Sequence, residues 1–192
     1  MARSFTEREK EKIRRSLQEI CKQSWTQHGY KKTSVDDICR KAGISKGAFY
    51  LFFESKEALF CEVLCSVQEQ IFRAASEVIE HYKNKNGVAK ALKLIYREYD
   101  QNNFLYQSSR ADFTTFMNRL SEEQAKKIEK SNQMSRQLFL NRPYLKFKTD
   151  AELALSVIYS LIMNIKNKDT LPYSHMETFD FMAEHLTDSL YE

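Results

Sequence analysis

Four glycines and two prolines in 192 residues leave little material for tight turns. That scarcity excludes propellers, many-turned sandwiches, glycine-rich phosphate loops and linker-rich or collagen-like chains. Long hydrophobic runs are also missing. The longest, Leu153 to Met163, is broken by Ser156, Tyr159 and Ser160 and is too short to cross a bilayer. The first residues turn charged at once, without the apolar stretch of a secretory signal, so a cytoplasmic chain with no membrane partner is expected. The four cysteines, at 21, 39, 61 and 65, then read as thiols rather than disulfides. Neither CxxC nor HExxH occurs, and no helical ExxH pair, so no metal site and no cofactor are expected. His28, His81, His175 and His185 lie apart from one another and beside no nucleophile motif, so no catalytic residue is assigned and the chain does not read as an enzyme. The remainder is ordinary for a soluble domain, 42% hydrophobic and 29% charged.

The net charge of +4 says less than its distribution. Residues 1–60 hold 13 lysines and arginines against 8 acids, while residues 61–192 hold 17 against 18. All the net positive charge therefore sits in the N-terminal third, beginning with Arg3, Arg8, Lys10, Lys12, Arg14 and Arg15. Such a face suits a phosphate backbone, or is merely solvated.

Hydrophobic periodicity predicts helices throughout and no sheet. A first helix spans about 6–28, with Ile13, Leu17, Ile20, Cys21 and Ser24 on one face and Gly29 as its C-cap. Ser34 caps a short second helix striped by Val35, Ile38, Cys39 and Ala42. A turn at Gly43 leads to a third helix capped by Ser45 and ending near Phe52. Ser55 caps a fourth, running to about Tyr82. Further helices are expected at about 88–101, 104–119, 121–141, 149–167 and 175–190, separated at Asn102-Asn103, Leu120-Ser121, Asn141-Arg142-Pro143 and Asp169 to Pro172.

Two short helices joined by a three-residue turn with a glycine form a helix-turn-helix unit. Each residue type in it has a physical use. Thr33 and Ser34 place hydroxyls and free amides at a helix N-terminus, where a phosphate binds well. Lys46, Gly47 and Ala48 open the third helix with one long cation and two tiny side chains, which lets the backbone sit deep in a major groove. Phe49, and with it Phe52, turns inward to hold that helix. Tyr50 reaches outward toward phosphate, and Lys56 adds charge at the next helix start. Lys32 and Ser45 complete the expected DNA contacts. Whether Lys46 reads a base or touches phosphate stays open at this level.

This stretch closely resembles the DNA-binding domain of the TetR (tetracycline repressor) family, through Gly29-Tyr30, Thr33-Ser34-Val35, Asp37-Ile38, Ala42-Gly43-Ile44-Ser45, Lys46-Gly47, Phe49-Tyr50, Phe53 and Lys56-Glu57. The likeness covers about residues 10–60. It departs at Phe52, where His or Tyr is frequent, and at Cys39, where alanine is usual. The resemblance implies an all-α chain of about nine helices. Residues 1–54 would form a three-helix domain that binds a palindromic duplex operator. Residues 55–192 would form a helical domain that binds a small effector and makes a homodimer. The expected activity is a ligand-responsive transcription repressor. The rival readings are a helical ligand-binding or protein-interaction module without DNA binding, and a helical enzyme.

The second domain is rich in aromatic residues. Tyr96, Tyr99, Phe113, Phe116, Met117, Met134, Tyr159 and Met163 are the candidate lining of an apolar effector pocket, although the same residues would also make a filled core. Arg97, Arg110 and Arg119 could meet an anion if one turned inward. The last two helices carry apolar residues on more than one face. Ala154, Ile158, Leu161 and Ile162 with Phe179, Met182 and Leu186 are the candidate dimer seam. Cys61 and Cys65, one turn apart, read as two small semi-buried thiols.

Overall fold

The computed structural model describes residues 6–106, 111–140 and 142–192; the readings placed on Arg3, Arg110 and Asn141 lie outside them. The described residues form nine α-helices, joined in places by 3-10 turns. Their one extended pairing is an isolated antiparallel bridge between Phe147 and Tyr191. The all-helical expectation holds. No described helix is long and apolar enough to cross a membrane.

Two compact units divide the chain: residues 1–66 with 108–128, and residues 67–107 with 129–192. The first therefore extends past the boundary expected at 54/55 and takes in a later helix.

In the first unit, α1 (Glu7–Lys32) begins at a capping box. The Thr6 hydroxyl accepts from the Glu9 amide, and the Glu9 carboxylate accepts from the Thr6 amide. Its inner face is Leu17, Cys21, Ser24 and Trp25. Gly29 does not end the helix as expected. It bends it, at φ 81° and ψ 173°, a backbone conformation open almost only to glycine, and a further turn follows to Lys32. That turn persists because Asp112 caps it: its carboxylate accepts from the Tyr30 amide at 2.6 Å and the Lys31 amide at 2.9 Å. Asp112 belongs to α6 (Ala111–Met117), 82 residues away in sequence.

Helix α2 (Val35–Ala42) starts at Ser34, whose hydroxyl accepts from the Asp37 amide and donates to the Asp37 carboxylate. That hydrogen bond, helped by the charge of Arg40, holds the Asp37 carboxyl below its ordinary range. The helix stops at Gly43 in the left-handed region. Helix α3 (Lys46–Phe49) starts at Ser45, which accepts from the Ala48 amide at 3.1 Å. It is shorter than expected, and Tyr50 to Phe52 continue as turns. Phe49 and Phe53 are the buried pair; Phe52 is only half-buried. α4 (Lys56–Tyr82) begins at Ser55, which accepts from the Ala58 amide.

α4 contributes its remaining length to the second unit, as does α7 (Glu122–Phe139). There α5 (Lys85–Gln101) packs its buried Val88, Leu92, Ile95 and Tyr96 against Phe179 and Ala183 of α9 (His175–Leu190). Tyr96 stacks on Phe179 with ring centroids 3.8 Å apart. Lys93 to Glu184 at 2.6 Å and Arg97 to Asp180 at 2.7 Å rim this contact. Such part-exposed pairs add little stability each; the apolar area beneath them does most of the holding. Helix α8 (Ala151–Met163) buries Ala154, Ile158 and Ile162 and continues as a 3-10 stretch to Thr170.

Candidate nucleic-acid interface

The α2–α3 pair presents a small cationic surface with a firm base. Phe49 is fully buried and meets Tyr50 edge-on and Phe53 at a tilt, with centroids 5.3 and 5.8 Å away. On the outer side Lys32, Ser45, Lys46 and Gly47 are exposed, and Ser34 and Ala48 are half-exposed. Tyr50 and Leu51, at 52% and 75%, stand out of the surface just past α3. The Lys46 ammonium lies 3.0 Å from Asp36, which raises its pKa, so it is a full cation held ready on the surface.

Gly47 is informative because nothing within the fold requires it. A methyl group there would find only the Ser45 hydroxyl, 3.9 Å away, and its backbone is not left-handed. By contrast, Gly43 has φ 70° and serves the turn itself.

Two residues expected at phosphate are placed otherwise. The Thr33 hydroxyl is buried and donates to the Gly29 carbonyl at 2.7 Å; it closes the bend after α1. Lys56 is drawn inward. Its ammonium donates to the Tyr30 carbonyl at 2.6 Å and sits 3.9 Å above the Tyr30 ring. Burial pushes its pKa down, the loss of hydration outweighing the opposing pull of Glu57. The Tyr30 hydroxyl donates to Glu57, and burial with that bond pushes the phenol up to about 12. Arg119 lies 3.9 Å from the same Glu57. Below, Trp25, Tyr30, Phe60 and Phe116 form one aromatic cluster with centroids 4.7 to 6.1 Å apart.

Sequence reading missed Asp112, Arg14 and Asp36. Arg14 pairs with Glu62, donates to the Phe52 carbonyl at 2.7 Å and covers the Phe53 ring. No local pattern marks partners so distant in sequence, but Asp36 lies two residues before Ile38 on an already identified helix, and its charge could have been weighed against Lys46.

The expected effector lining is divided. Phe113, Phe116 and Met117 belong to the first unit, where both phenylalanines pack with Trp25. Tyr96, Tyr99, Met134, Tyr159 and Met163 belong to the second. Tyr96 and Tyr99 are core, and Tyr159 is 62% exposed. Aromatic clustering in sequence does not distinguish a filled core from a pocket wall, and here Phe116 and Tyr96 fill cores. The residues of the expected dimer seam are likewise divided by their burial. Ala154, Ile158, Ile162 and Phe179 are buried within the chain, whereas Leu161, Met182 and Leu186 are half-exposed. The outward apolar residues of α8 and α9 are instead Leu153, Tyr159 and Phe181.

Cys61 is buried and donates to the Gln124 carbonyl at 3.6 Å, while Cys65 is half-buried. Among the described residues no cluster of three or more histidine, cysteine or acidic side chains could hold a metal.

Residues 22–63 match the bacterial regulatory proteins of the tetR family. YhgD of Bacillus subtilis, an uncharacterized helix-turn-helix transcriptional regulator, is 37% identical over 62 residues, 32% of each chain. A probable acrEF/envCD operon repressor of Escherichia coli is 35% identical over 79 residues, 40% of this chain and 36% of that one. These alignments thus span about a third of each relative. The fold likeness reaches further. The transcriptional regulator FadR of Bacillus subtilis, solved in complex with stearoyl-CoA, superposes with a TM-score of 0.71 at 16% identity, covering 91% of this chain and 98% of FadR. Residues 22–63 thus carry a helix-turn-helix segment like that of the tetR-family regulators, and the chain as a whole shares their all-helical fold.

Proposed function

We propose that this chain is a ligand-responsive repressor that binds a near-palindromic duplex as a homodimer and releases it when a small, largely apolar molecule binds its second unit. The observation that carries the reading is Gly47. It is an exposed glycine at the start of α3, beside Lys46, at a position where the fold itself has no need of one. Close approach of an external backbone or base edge accounts for it. Lys32, Lys46, Ser45, Ala48 and Tyr50 complete the contact surface. Lys56 and Thr33 act one step behind it, by holding the turn that leads into α2. The outward face of α8 and α9 is the proposed seam between two copies, and binding to successive major grooves requires their α3 helices about 34–36 Å apart. The operon repressor among its relatives and the acyl-CoA complex of FadR fit repression and ligand response respectively.

Release follows from population shift. An effector that prefers the conformation mismatched to DNA depletes the matched one. A hundredfold loss of operator affinity needs about 2.7 kcal/mol of coupling. The experiment is selection of bound duplexes from a random pool at moderate salt, followed by anisotropy titration. A palindromic winner whose affinity falls steeply with salt supports the reading. Recovery of no preferred duplex refutes it.

A further inference from the structure

A groove of about 560 Å³ runs along the second unit between α4 and α7. The two helices lie side by side in the same direction there, since Gln68 meets Ser131 and, eight residues on, Ser76 meets Arg142. Hydrogen bonds bridge the two sides near each end. At one, the Ser131 hydroxyl donates to the Gln68 side chain at 2.8 Å, and Gln68 donates to Asn132 at 3.4 Å. At the other, Arg142 donates to the Ser76 hydroxyl at 2.8 Å and the Leu138 carbonyl at 3.4 Å, and pairs with Glu80. Eight residues of helix separate these ends by about 12 Å. A furrow of this length, bridged near both ends, suits a small molecule.

The floor is apolar, made by the buried Phe72 and Leu138 with the part-exposed Met134 between them. The walls are charged, chiefly with one sign. Arg73 on α4 and Lys130 on α7 are exposed and make no ion pair among the described residues. Glu69 is the single acid of the lining. Other cations of this unit, such as Lys83 and Lys166, are exposed without an acidic partner among the described residues too; Arg73 and Lys130 are set apart by flanking an apolar floor.

We infer that this groove binds an amphiphilic anion about 12 Å long, with its acid head between Arg73 and Lys130 and its apolar body over Phe72, Met134 and Leu138. This rests on the reading of the chain as ligand-responsive and deepens it, by giving the effector a negative head and placing its site. An apolar body removes the floor from water. A carboxylate head makes charge-assisted hydrogen bonds, for which a guanidinium is well shaped. A neutral or cationic head of equal length would leave Arg73 and Lys130 uncompensated or repelled.

The test uses the full chain without DNA and three probes of equal chain length: decanoate, 1-decanol and decylammonium. Calorimetric titration should show one decanoate per chain, bound at least tenfold more tightly than decanol, with decylammonium weaker still. The double variant Arg73→Gln, Lys130→Gln should lose about tenfold for decanoate and little for decanol, with unchanged circular dichroism and melting. Met134→Glu, at a surface position that tolerates charge, should weaken decanoate by a similar factor. Equal binding of the three probes, several decanoates per chain, or decanoate affinity unmoved by the double variant overturns the site. The outcome is separable from operator binding. A chain that binds decanoate but no duplex keeps this site and loses the regulator reading. One that binds duplex but not decanoate does the reverse.

Discussion

Both units start their helices in the same way. In the first, Ser34, Ser45 and Ser55 each accept an amide hydrogen bond three residues on; in the second, Asn84, Asp150 and Ser174 do so. The units differ in what their remaining residues disclose. Around α2 and α3 the informative positions are polar, tiny or glycine, and each has a narrow set of uses. In α5, α8 and α9 the informative positions are apolar, and an apolar side chain packs equally well against its own chain, a second copy or a ligand. Ile158 and Leu153 look alike as letters in one helix, yet one is 2% exposed and the other 54%. A hydrophobic stripe thus establishes that a helix packs without naming its partner.

The largest effect expected sharpens that contrast. Ile158→Glu places an unpaired charge in the core of the second unit and should cost about 3–5 kcal/mol, seen as a large loss of melting temperature. Leu153→Glu with Phe181→Glu, on exposed positions, should leave melting of the dilute protein nearly unchanged but shift sedimentation from dimer to monomer. If the surface pair stays dimeric, the seam lies elsewhere. If Ile158→Glu melts normally, the burial of α8 is wrong.

The next effect concerns the bend in α1. Asp112→Ala removes a carboxylate that accepts two amide hydrogen bonds, and should cost about 2 kcal/mol in urea unfolding. Gly29→Ala should cost at least as much. Its Cβ would lie 2.6 Å from an Asp112 oxygen, and its backbone conformation strains any residue but glycine by about 1–3 kcal/mol. Both should weaken DNA binding, because the same turn positions α2. Neutral behaviour of both would mean that Asp112 caps nothing of consequence.

These two residues also mark the limit of the sequence reading. Nine helices, the caps at Ser34, Ser45 and Ser55, the turn at Gly43 and the exposed Lys46-Gly47 were legible because each depends on neighbours within four residues. The bend at Gly29, the inward Lys56 and the division of the aromatic residues were not. They depend on α6, whose arrival beside α1 no local pattern encodes. Lys56 in particular looks from sequence like a surface cation at a helix start, and becomes a half-buried partner of Tyr30 only once the chain is folded.

A third effect is a pH dependence shared by both units. Tyr30, Tyr96 and Tyr99 are each pushed up to about 12, burial being the main cause. The fold favours the neutral phenol, so this stabilisation is whole below about pH 10 and is lost as pH rises toward 12. Spectrophotometric titration should show these phenols ionising together with alkaline unfolding. Tyr30→Phe should remove its share of the alkaline transition. A single titration near pH 10 for all tyrosines would contradict the burial.

A smaller effect separates specific from non-specific contacts at α3. Lys46→Ala should reduce affinity for the selected duplex by about tenfold if its contact is to a base, and less for random DNA. Asp36→Asn removes the acid that holds Lys46 and should raise affinity for both duplexes about two- to threefold. Equal losses on both duplexes from Lys46→Ala would confine that lysine to phosphate.

The smallest change in the folded chain tests the comparison most directly. Gly47→Ala adds one methyl group to the first turn of α3, where only the Ser45 hydroxyl lies within reach at 3.9 Å. Alanine is the better helix former by up to about 1 kcal/mol, less at a helix start. The backbone here needs no positive φ, so the variant should melt at the same temperature as the parent or slightly above it. On DNA the sign reverses. The methyl group occupies space that a groove wall would otherwise fill, and affinity for the selected duplex should drop severalfold. A residue kept for folding would show both quantities falling together; a residue kept for an external surface shows stability flat or rising while binding falls. If Gly47→Ala binds the selected duplex as well as the parent does, the tiny side chains of α3 have no role in close approach, and the first unit is no more informative about its partner than the second.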